Sequence, residues 1–305
     1  MEDKQVPCTA PLLTYLRAYH AAHDAPKIFD DFLAYNLLTE QERDFFDRQF
    51  ATAVRLIDPE HTASCPEQET ALAWFMMAIA PLSLAISRAR YAEEMLEKAV
   101  QEGVRQYVIL GAGMDTFAFR CPELVKQLEV FEVDHPATQA CKRGRLVEAG
   151  WEQPEHLHFI PVDFSRESPV AALARSYYDP GTPSFFSWLG VTYYLDRDVV
   201  SDTLHGIADL ALPGSNLVFD YLDQDAFIPG RTARRVQIGM EYIRKTGMPM
   251  ITGFPPSALG EYLARLGLCL RENLSPADIE ERFFRGRTDG YHAYEHMHFA
   301  RAVVG

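Results

Sequence analysis

The feature that most constrains the fold of this chain is a glycine turn between an apolar run and an amphipathic segment, Val108-Ile-Leu-Gly-Ala-Gly-Met-Asp-Thr-Phe117. The pattern predicts a buried strand that turns sharply into a helix, because glycine can take positive φ and lets a ligand approach the backbone. A second apolar strand, Val130-Phe-Glu-Val-Asp134, ends in an acid about twenty residues later. This combination is typical of a site for a nucleoside-bearing cofactor, whose ribose hydroxyls the acid binds.

The residues after the turn separate the cofactors that such a site can hold. A dinucleotide site has a third glycine where this chain has Thr116, for close helix packing under the pyrophosphate. Asp115 in the loop would repel a pyrophosphate and attract a cationic ligand. S-adenosylmethionine (SAM) has a sulfonium, an ammonium and a ribose but no phosphate. The sequence therefore favours SAM, with a dinucleotide site and a purely structural turn as the alternatives.

The hydrophobic pattern predicts an α/β protein with a helical cover. Helices are expected over 27–38, 39–57, 67–80 and 82–100, and Thr39 and Glu42 have the spacing of a capping box. We assign 1–103 to an N-terminal helical cover and 104–305 to the domain that binds SAM. In the second part strands alternate with helices, which predicts a Rossmann-like, seven-stranded, mostly parallel sheet.

The seven expected strands cover residues 105–111, 128–134, 157–162, 184–189, 215–221, 267–273 and 293–303. Polar and apolar residues alternate in the last one, which fits an antiparallel edge strand. Residues 222–256 are rich in Gly and Pro and interrupt the rhythm. Connections of this length in a compact domain are commonly lids, so we predict a lid-like insertion there.

Composition limits the partners. A net charge of −14 with no dense basic block argues against nucleic acid. Residues 1–25 lack the pattern of a secretory signal, and the most apolar window, 71–86, is too short to span a bilayer. The five scattered cysteines include no C-x-x-C pair, which is typical of reduced thiols in a cytoplasmic protein. We expect a small-molecule substrate, no membrane partner, and a monomer or homodimer.

Five segments together resemble the leucine carboxyl methyltransferase family, and more closely its bacterial branch that acts on small molecules. They are Lys27-Ile-Phe-Asp-Asp-Phe-Leu-Ala34, Ser87-Arg-Ala-Arg-Tyr91, the glycine turn continued to Arg120, Val130-Phe-Glu-Val-Asp-His-Pro136, and Trp188-Leu-Gly-Val-Thr-Tyr-Tyr-Leu195. The resemblance implies a class I SAM-dependent O-methyltransferase with an N-terminal helical cover.

The resemblance also implies roles for single residues. Arg88 matches the arginine that binds the methionine carboxylate of SAM, Asp134 matches the ribose ligand, and Asp163 matches the contact on the adenine side. The whole expected cofactor-binding set is Arg88, Gly111, Ala112, Gly113, Asp115, Asp134, Asp163, Phe164 and Leu189. Arg90 lies two positions from Arg88 on the same helix, so one of the two is expected inside and the other in solvent.

Leu189 departs from the family pattern, which commonly has Glu directly before the Gly-Val of the fourth strand. A carboxylate near the methionine end of SAM is then missing. Asp115 is the candidate to replace that charge.

Methyl transfer from SAM is an in-line displacement, and the acceptor decides whether a base is needed. A carboxylate is already ionised at neutral pH, whereas a hydroxyl needs a general base. The candidates for catalysis or for the wall of the acceptor site are Tyr193, Tyr194, Tyr221, His292, His296 and His298. His296 and His298 would share one face of the last strand. The histidines lack enough converging partners for a metal, so no metal site is expected.

The function that these features favour is SAM-dependent O-methylation of a carboxylate or hydroxyl on a small molecule. Three alternatives stay open: a SAM-binding protein without catalysis, a methyltransferase acting on the C-terminal carboxyl of a protein, and an NAD-dependent oxidoreductase. The missing third glycine argues against the last of these.

Overall fold

The computed structural model describes residues 10–58, 67–245 and 247–305. Its centre is a seven-stranded sheet with the strand order β3-β2-β1-β4-β5-β7-β6. The strands are β1 (Gln106–Leu110), β2 (Glu129–Asp134), β3 (Leu157–Pro161), β4 (Ser184–Trp188), β5 (Asn216–Leu222), β6 (Leu268–Leu274) and β7 (Met297–Val304). Strands β1 to β5 pair in parallel, and β7 pairs antiparallel with both β5 and β6.

The predicted fold class is confirmed, since the sheet is mostly parallel and has the antiparallel strands β7 and β6 on one side. The prediction that the last strand is itself the outermost one is wrong. Strand β7 lies between β5 and β6 and is hydrogen-bonded on both sides. Most of its residues are buried, whereas β6, at the true edge, is only partly covered.

Helices cover both faces of the sheet because successive strand residues point to opposite sides. On one face, Tyr107 and Ile109 of β1 join the core of the N-terminal helices. On the other face, Val108 and Leu110 join the core that later helices build. The helices are α1 (Ala10–His23), α2 (Glu40–Ile57), α3 (Gln68–Ala78), α4 (Leu82–Gln101), α5 (Phe117–Arg120), α6 (Pro122–Val125), α7 (Pro136–Glu148), α8 (Pro169–Ala174), α9 (Arg197–Leu210), α10 (Arg234–Lys245), α11 (Leu259–Arg265) and α12 (Pro276–Ile279).

The start of α2 confirms the capping box, since Thr39 and Glu42 bond reciprocally. The helix predicted over 27–38 is wrong, because the chain there forms only a 3₁₀ turn at Ala34–Leu37. The buried Asp31 explains the irregular path. Its carboxylate accepts hydrogen bonds from Arg17 Nε at 2.8 Å and from Thr116 Oγ1 at 2.6 Å. These bonds hold the segment against the residues that follow the glycine turn.

The region predicted to be a lid-like insertion, 222–256, contains α10 and contacts the helical cover. Gln49 Nε2 donates to the Tyr242 hydroxyl at 3.0 Å, and Arg234 Nη2 donates to the Ile57 carbonyl at 2.9 Å. The segment after α10 returns to the sheet, where the Ile251 N–H donates to the Tyr193 carbonyl at 2.8 Å. The insertion therefore connects the cover with the loop that follows β4. Movement of a lid, and the domain division at residue 103, stay predictions.

Within the described ranges no single helix is both long and apolar enough to cross a membrane, and one bent pair, α3 with α4, meets that test only when its two helices are taken together. Cys121, Cys141 and Cys269 are free thiols. Cys8 and Cys65 lie outside the described residues.

A buried ion pair lies behind the end of β2. Lys142 of α7 donates to Glu132, and both side chains are almost fully buried. Burial raises the pKa of Glu132 from 4.5 to about 7, although Lys142 opposes the rise. Between these two values the folded state keeps a proton that the unfolded state has lost, so this group makes the protein less stable as pH rises through that window.

We predict that Lys142→Met lowers stability by about 3–5 kcal/mol at alkaline pH, because it leaves a buried carboxylate without its cation. The loss should shrink towards pH 5, where Glu132 takes up a proton in the folded state. Urea unfolding at several pH values measures this. The double variant with Glu132→Gln should remove the extra pH dependence, and an equal loss for Lys142→Met at every pH would contradict the explanation.

Candidate functional site

The glycine turn has the backbone that the sequence predicts. Gly111 and Gly113 have φ of +74° and +55°, values that favour glycine. A Cβ on Gly111 would lie 2.5 Å from Cγ2 of Val191, so this position accepts no side chain without displacing the loop after β4. The turn therefore brings the ends of β1 and β4 into close contact.

Asp134 is the last residue of β2 and faces this turn. Its carboxylate accepts hydrogen bonds from the N–H groups of Gly113 and His135. Burial raises the pKa of Asp134, while these two bonds act in the opposite direction. The side chain also borders a cleft of about 280 Å³, called the outer cleft below. Its remaining lone pairs can accept hydrogen bonds from the two hydroxyls of a ribose.

Two other predicted contacts lie along the outer cleft, Asp163 and Phe164. Asp163 accepts from the backbone N–H and the hydroxyl of Ser165, and these bonds lower its pKa. The carboxylate therefore caps the turn after β3 and also borders the cleft. The phenyl ring of Phe164 offers an apolar surface next to it.

A smaller pocket of about 100 Å³, the inner pocket, lies on the other side of the glycine turn. Two arginines and two acids border it: Arg17, Arg88, Glu93 and Asp115. Opposite charges of this kind fit the ammonium and carboxylate of an amino acid. Gly111, Gly113 and Leu189 border both spaces, and Ala112 borders the inner one. The residues present therefore fit SAM: Asp134 would hold the ribose, and the inner pocket would take the methionine end.

Two carboxylates share the inner pocket with Leu189. Asp115 accepts from the N–H of Phe117 at 2.7 Å, which directs it at the start of α5. Glu93 is paired with Arg120, and burial raises its pKa. Compensation for Leu189 by Asp115 stays a prediction, and the structure adds Glu93 as a second acid in the same pocket.

Arg88 is the inward arginine, whereas Arg90 is exposed and paired with Glu94. Arg88 Nη1 donates to Oδ2 of Asp220 at 2.9 Å and to the Tyr193 hydroxyl at 3.0 Å. Burial lowers the pKa of Arg88, but Tyr193 and Asp220 raise it more, so its value lies above the ordinary one. The guanidinium borders the inner pocket and also a third space, described below.

The sequence analysis missed Asp220, which is fully buried in β5. Its other oxygen, Oδ1, accepts from the N–H of Gly190 at 2.6 Å. At Gly190, φ is +75° and a Cβ would lie 2.7 Å from Arg88 Nη2. Asp220 thus fixes both the arginine and the loop against which it lies. One feature of the sequence could have indicated Asp220: it is a single acid inside an apolar strand, and a buried acid needs a partner. Arg17 and Glu93 were missed too, because nothing local marks them.

The third space is an apolar cavity of about 70 Å³ between the cover, the loop after β4 and the insertion. It meets the outer cleft at Gly190 and Tyr194 and the inner pocket at Arg88. Its remaining lining comes from Leu12, Leu13, Pro81, Leu84, Tyr193, Leu222, Val236, Gly239, Met240, Ile243, Met250, Tyr294 and Met297. The structure therefore brings the predicted Tyr193 and Tyr194 to this cavity, and it adds Tyr294.

Tyr221 does not belong to this site, contrary to the prediction. It follows Asp220 in β5 and so points to the opposite face, where its hydroxyl donates to Asn273 at 2.9 Å and its ring stacks on His298. It borders none of the three spaces.

The predicted histidines are also placed elsewhere. His292 is exposed beside Glu280, 3.3 Å away. His296 precedes β7, with φ of +62°, and its Nε2 accepts from the N–H of Ala233. It therefore does not share a strand face with His298, which lies 3.9 Å from Asp223. In the parts of the chain that the structure describes, no three His, Cys, Asp or Glu side chains are grouped to hold a metal.

Residues 10–208 match the family model described as leucine carboxyl methyltransferase. The chain belongs to this family. It is 37% identical to a Bacillus subtilis (strain 168) protein named S-adenosyl-L-methionine-dependent methyltransferase YktD, with 99% of both chains covered. It is also 31% identical to a Mycolicibacterium smegmatis protein named as an S-adenosyl-L-methionine-dependent methyltransferase, over 76% of this chain and 78% of the other. This member of the family is accordingly a SAM-dependent methyltransferase.

Two solved structures have folds similar to that of this chain. One is a methyltransferase from Thermobifida fusca YX, with a TM-score of 0.58 and 15% identity, covering 99% of this chain and 96% of that one. Another is a DUF574 family protein from Streptomyces avermitilis, with a TM-score of 0.56 and 14% identity, covering 96% and 97%.

We predict that Asp134→Asn weakens binding of S-adenosylhomocysteine at least about tenfold, because charge-assisted hydrogen bonds to the ribose hydroxyls contribute roughly 1.5–3 kcal/mol each. Titration calorimetry measures the affinity, and thermal unfolding checks the fold. Glu129→Gln, at the opposite end of β2, is the control and should bind normally. If Asp134→Asn keeps its affinity but melts much lower, the carboxylate serves only to hold the turn.

Proposed function

We propose that this methyltransferase transfers the methyl group of SAM to the carboxylate of a small, apolar acid. The observation that carries the proposal is the chemistry of the apolar cavity. Among the described residues that border it, the only titratable side chains are Arg88 and the three tyrosines Tyr193, Tyr194 and Tyr294. No histidine, aspartate or glutamate from the described ranges is part of that lining.

The tyrosines cannot act as general bases near neutral pH. Burial raises the pKa of Tyr194 to about 12, and it raises the pKa values of Tyr193 and Tyr294 well above the ordinary value. All three hydroxyls therefore keep their protons. An oxygen acceptor in this cavity finds no base to remove a proton, and a carboxylate, with an ordinary pKa near 4, needs none because it is already ionised.

The resemblance implied that Arg88 binds the methionine carboxylate of SAM. We propose instead that Arg88 binds the acceptor carboxylate, which leaves Arg17 as the arginine of the inner pocket for the methionine end. Arg88 Nη1 is used by Asp220 and Tyr193, while no described residue accepts a hydrogen bond from its Nη2 or Nε. The guanidinium has five donors in a planar fork that matches a carboxylate. It borders both the apolar cavity and the inner pocket. One acceptor oxygen can therefore be held there while the other points towards the cofactor.

SAM supplies an electrophilic methyl group on its sulfonium. Attack by the acceptor forms a bond from oxygen to the methyl carbon and breaks the bond from that carbon to sulfur, so the products are a methyl ester and S-adenosylhomocysteine. No proton moves in this step. The residues contribute by position: Arg88 orients the carboxylate, and the leucines and methionines of the cavity exclude water.

Two further points support a small acid. The chain belongs to the leucine carboxyl methyltransferase family, which supports a carboxyl acceptor. The cavity lies between α10 and the helical cover, which supports a small one. An acceptor on a protein terminus would have to thread between these elements. A hydroxyl acceptor would need a base that the described lining lacks.

The chemical stability of the product tests the proposal. The protein is incubated with methyl-labelled SAM and a panel of apolar acids, each paired with the alcohol or phenol of the same skeleton. We expect label in the acids only, and we expect mild alkali to release it as methanol, since methyl esters hydrolyse and methyl ethers do not. Gly111→Ala, which blocks the turn, is the control without transfer. Label that is retained in alkali, on an alcohol or phenol, would contradict carboxylate methylation.

A further inference from the structure

The apolar cavity is bordered by a tyrosine hydroxyl, that of Tyr294, which makes no hydrogen bond within the described chain. Tyr294 is 6% exposed. The pKa of this tyrosine is raised by burial, so the hydroxyl is protonated and can donate. The hydroxyl is therefore free to donate to a ligand that enters the cavity.

The ring that carries this hydroxyl is held in place. The guanidinium of Arg235 lies over it, 4.6 Å from the ring centre. Arg235 also donates to the Ala293 carbonyl at 2.6 Å and to the Glu295 carboxylate at 2.9 Å. These two residues flank Tyr294 in the chain. Arg235 therefore holds the ring both directly and through the two chain neighbours of Tyr294.

Gly239 keeps the space in front of this hydroxyl open. It lies inside α10 and borders the same cavity. A Cβ at this position would be 2.7 Å from Oη of Tyr294, closer than real Cβ contacts come. Its φ is not positive, so helix geometry does not require glycine, and glycine weakens a helix relative to alanine. The missing side chain is therefore explained by the space it leaves beside the tyrosine hydroxyl.

We propose that the Tyr294 hydroxyl donates a hydrogen bond to a second polar group of the acceptor, an oxo, hydroxyl or ether oxygen on its apolar body. The group to be methylated is held at Arg88, on α4, and the second oxygen is held at Tyr294, before β7. This deepens the proposed function, on which the carboxylate part rests. An acceptor without the second oxygen leaves this hydroxyl unpaired and should therefore bind more weakly.

The test compares ligands that differ only in that oxygen. Calorimetry on the protein saturated with S-adenosylhomocysteine measures binding of octanoic acid, of octanoic acids with one oxo group at each interior carbon, and of octanone as a neutral ketone. At least one oxo acid should bind about fivefold tighter than octanoic acid, the gain expected of one net hydrogen bond. Tyr294→Phe should abolish that gain without weakening octanoic acid. Tyr221→Phe, a buried tyrosine outside the cavity, should preserve it.

Gly239→Ala gives a second measurement that does not depend on loss of fold. The added methyl should push the Tyr294 hydroxyl into the cavity and weaken octanoic acid at least about fivefold, an effect that calorimetry resolves easily. The melting temperature should not fall, because alanine favours the helix. Tyr294→Phe in the same chain should restore binding of octanoic acid. Gly260→Ala, where a Cβ meets Leu270 at an ordinary 3.6 Å, is the matched control.

Two results would overturn the inference: no oxo compound gains affinity over octanoic acid, or Tyr294→Phe weakens oxo acids and octanoic acid alike. If neither the oxo acids nor the ketone bind at all, that outcome counts as the first of these results. The ketone separates the two proposals. If its binding depends on Tyr294 while labelled product is stable in alkali, recognition of the second oxygen holds and carboxylate methylation fails.

Discussion

The site depends on one buried ion pair, Arg88 with Asp220. It joins a helix of the cover to the fifth strand of the sheet, and both side chains are almost fully buried. Charges are taken out of water only at a large cost unless they are paired and hydrogen-bonded. Here the carboxylate also fixes the Gly190 N–H, and the arginine also donates to Tyr193. The boundary between the cofactor spaces and the apolar cavity is therefore a rigid arrangement of charges.

Because that boundary is shared, the helical cover and the sheet form one site. The cover contributes Arg17, Arg88 and Glu93 to the inner pocket, and the sheet contributes the glycine turn with Asp115. The insertion then provides a wall of the apolar cavity through α10. Each part is incomplete alone. This explains why a sheet of a common type is preceded in this chain by about a hundred additional residues.

The sequence was sufficient to predict the sheet and the glycine turn at its edge. All seven strands coincide with the predicted runs to within a few residues, because apolar periodicity and glycine turns are local signals. The place of β7 between β5 and β6 was not predicted, since strand order depends on contacts between distant residues. The helix expected over 27–38 failed for a related reason. The carboxylate of Asp31 has partners at Arg17 and Thr116, and neither pairing is visible in a local pattern.

Among the site residues, those next to the glycine turn were predictable. Those whose place in the site depends on which face of a strand their side chain points to were not. Asp220 and Tyr221 are neighbours in one strand, yet the first pairs with Arg88 and the second packs on the opposite face. Sequence reasoning chose the tyrosine, because it lies at a strand end, and passed over the acid. Tyr294 depends on α10, which the sequence presented only as an irregular insertion.

The central claim is that the acceptor oxygen is ionised before it binds and that no residue removes a proton from it. The most direct measurement is the rate of a single turnover at saturating SAM and acid, followed between about pH 6 and 9, a range above the ordinary carboxyl pKa and below the raised tyrosine values. We expect a flat profile, since neither the carboxylate nor Arg88 changes charge there. A rate that rises about tenfold per pH unit would show a proton leaving before transfer and would contradict this expectation.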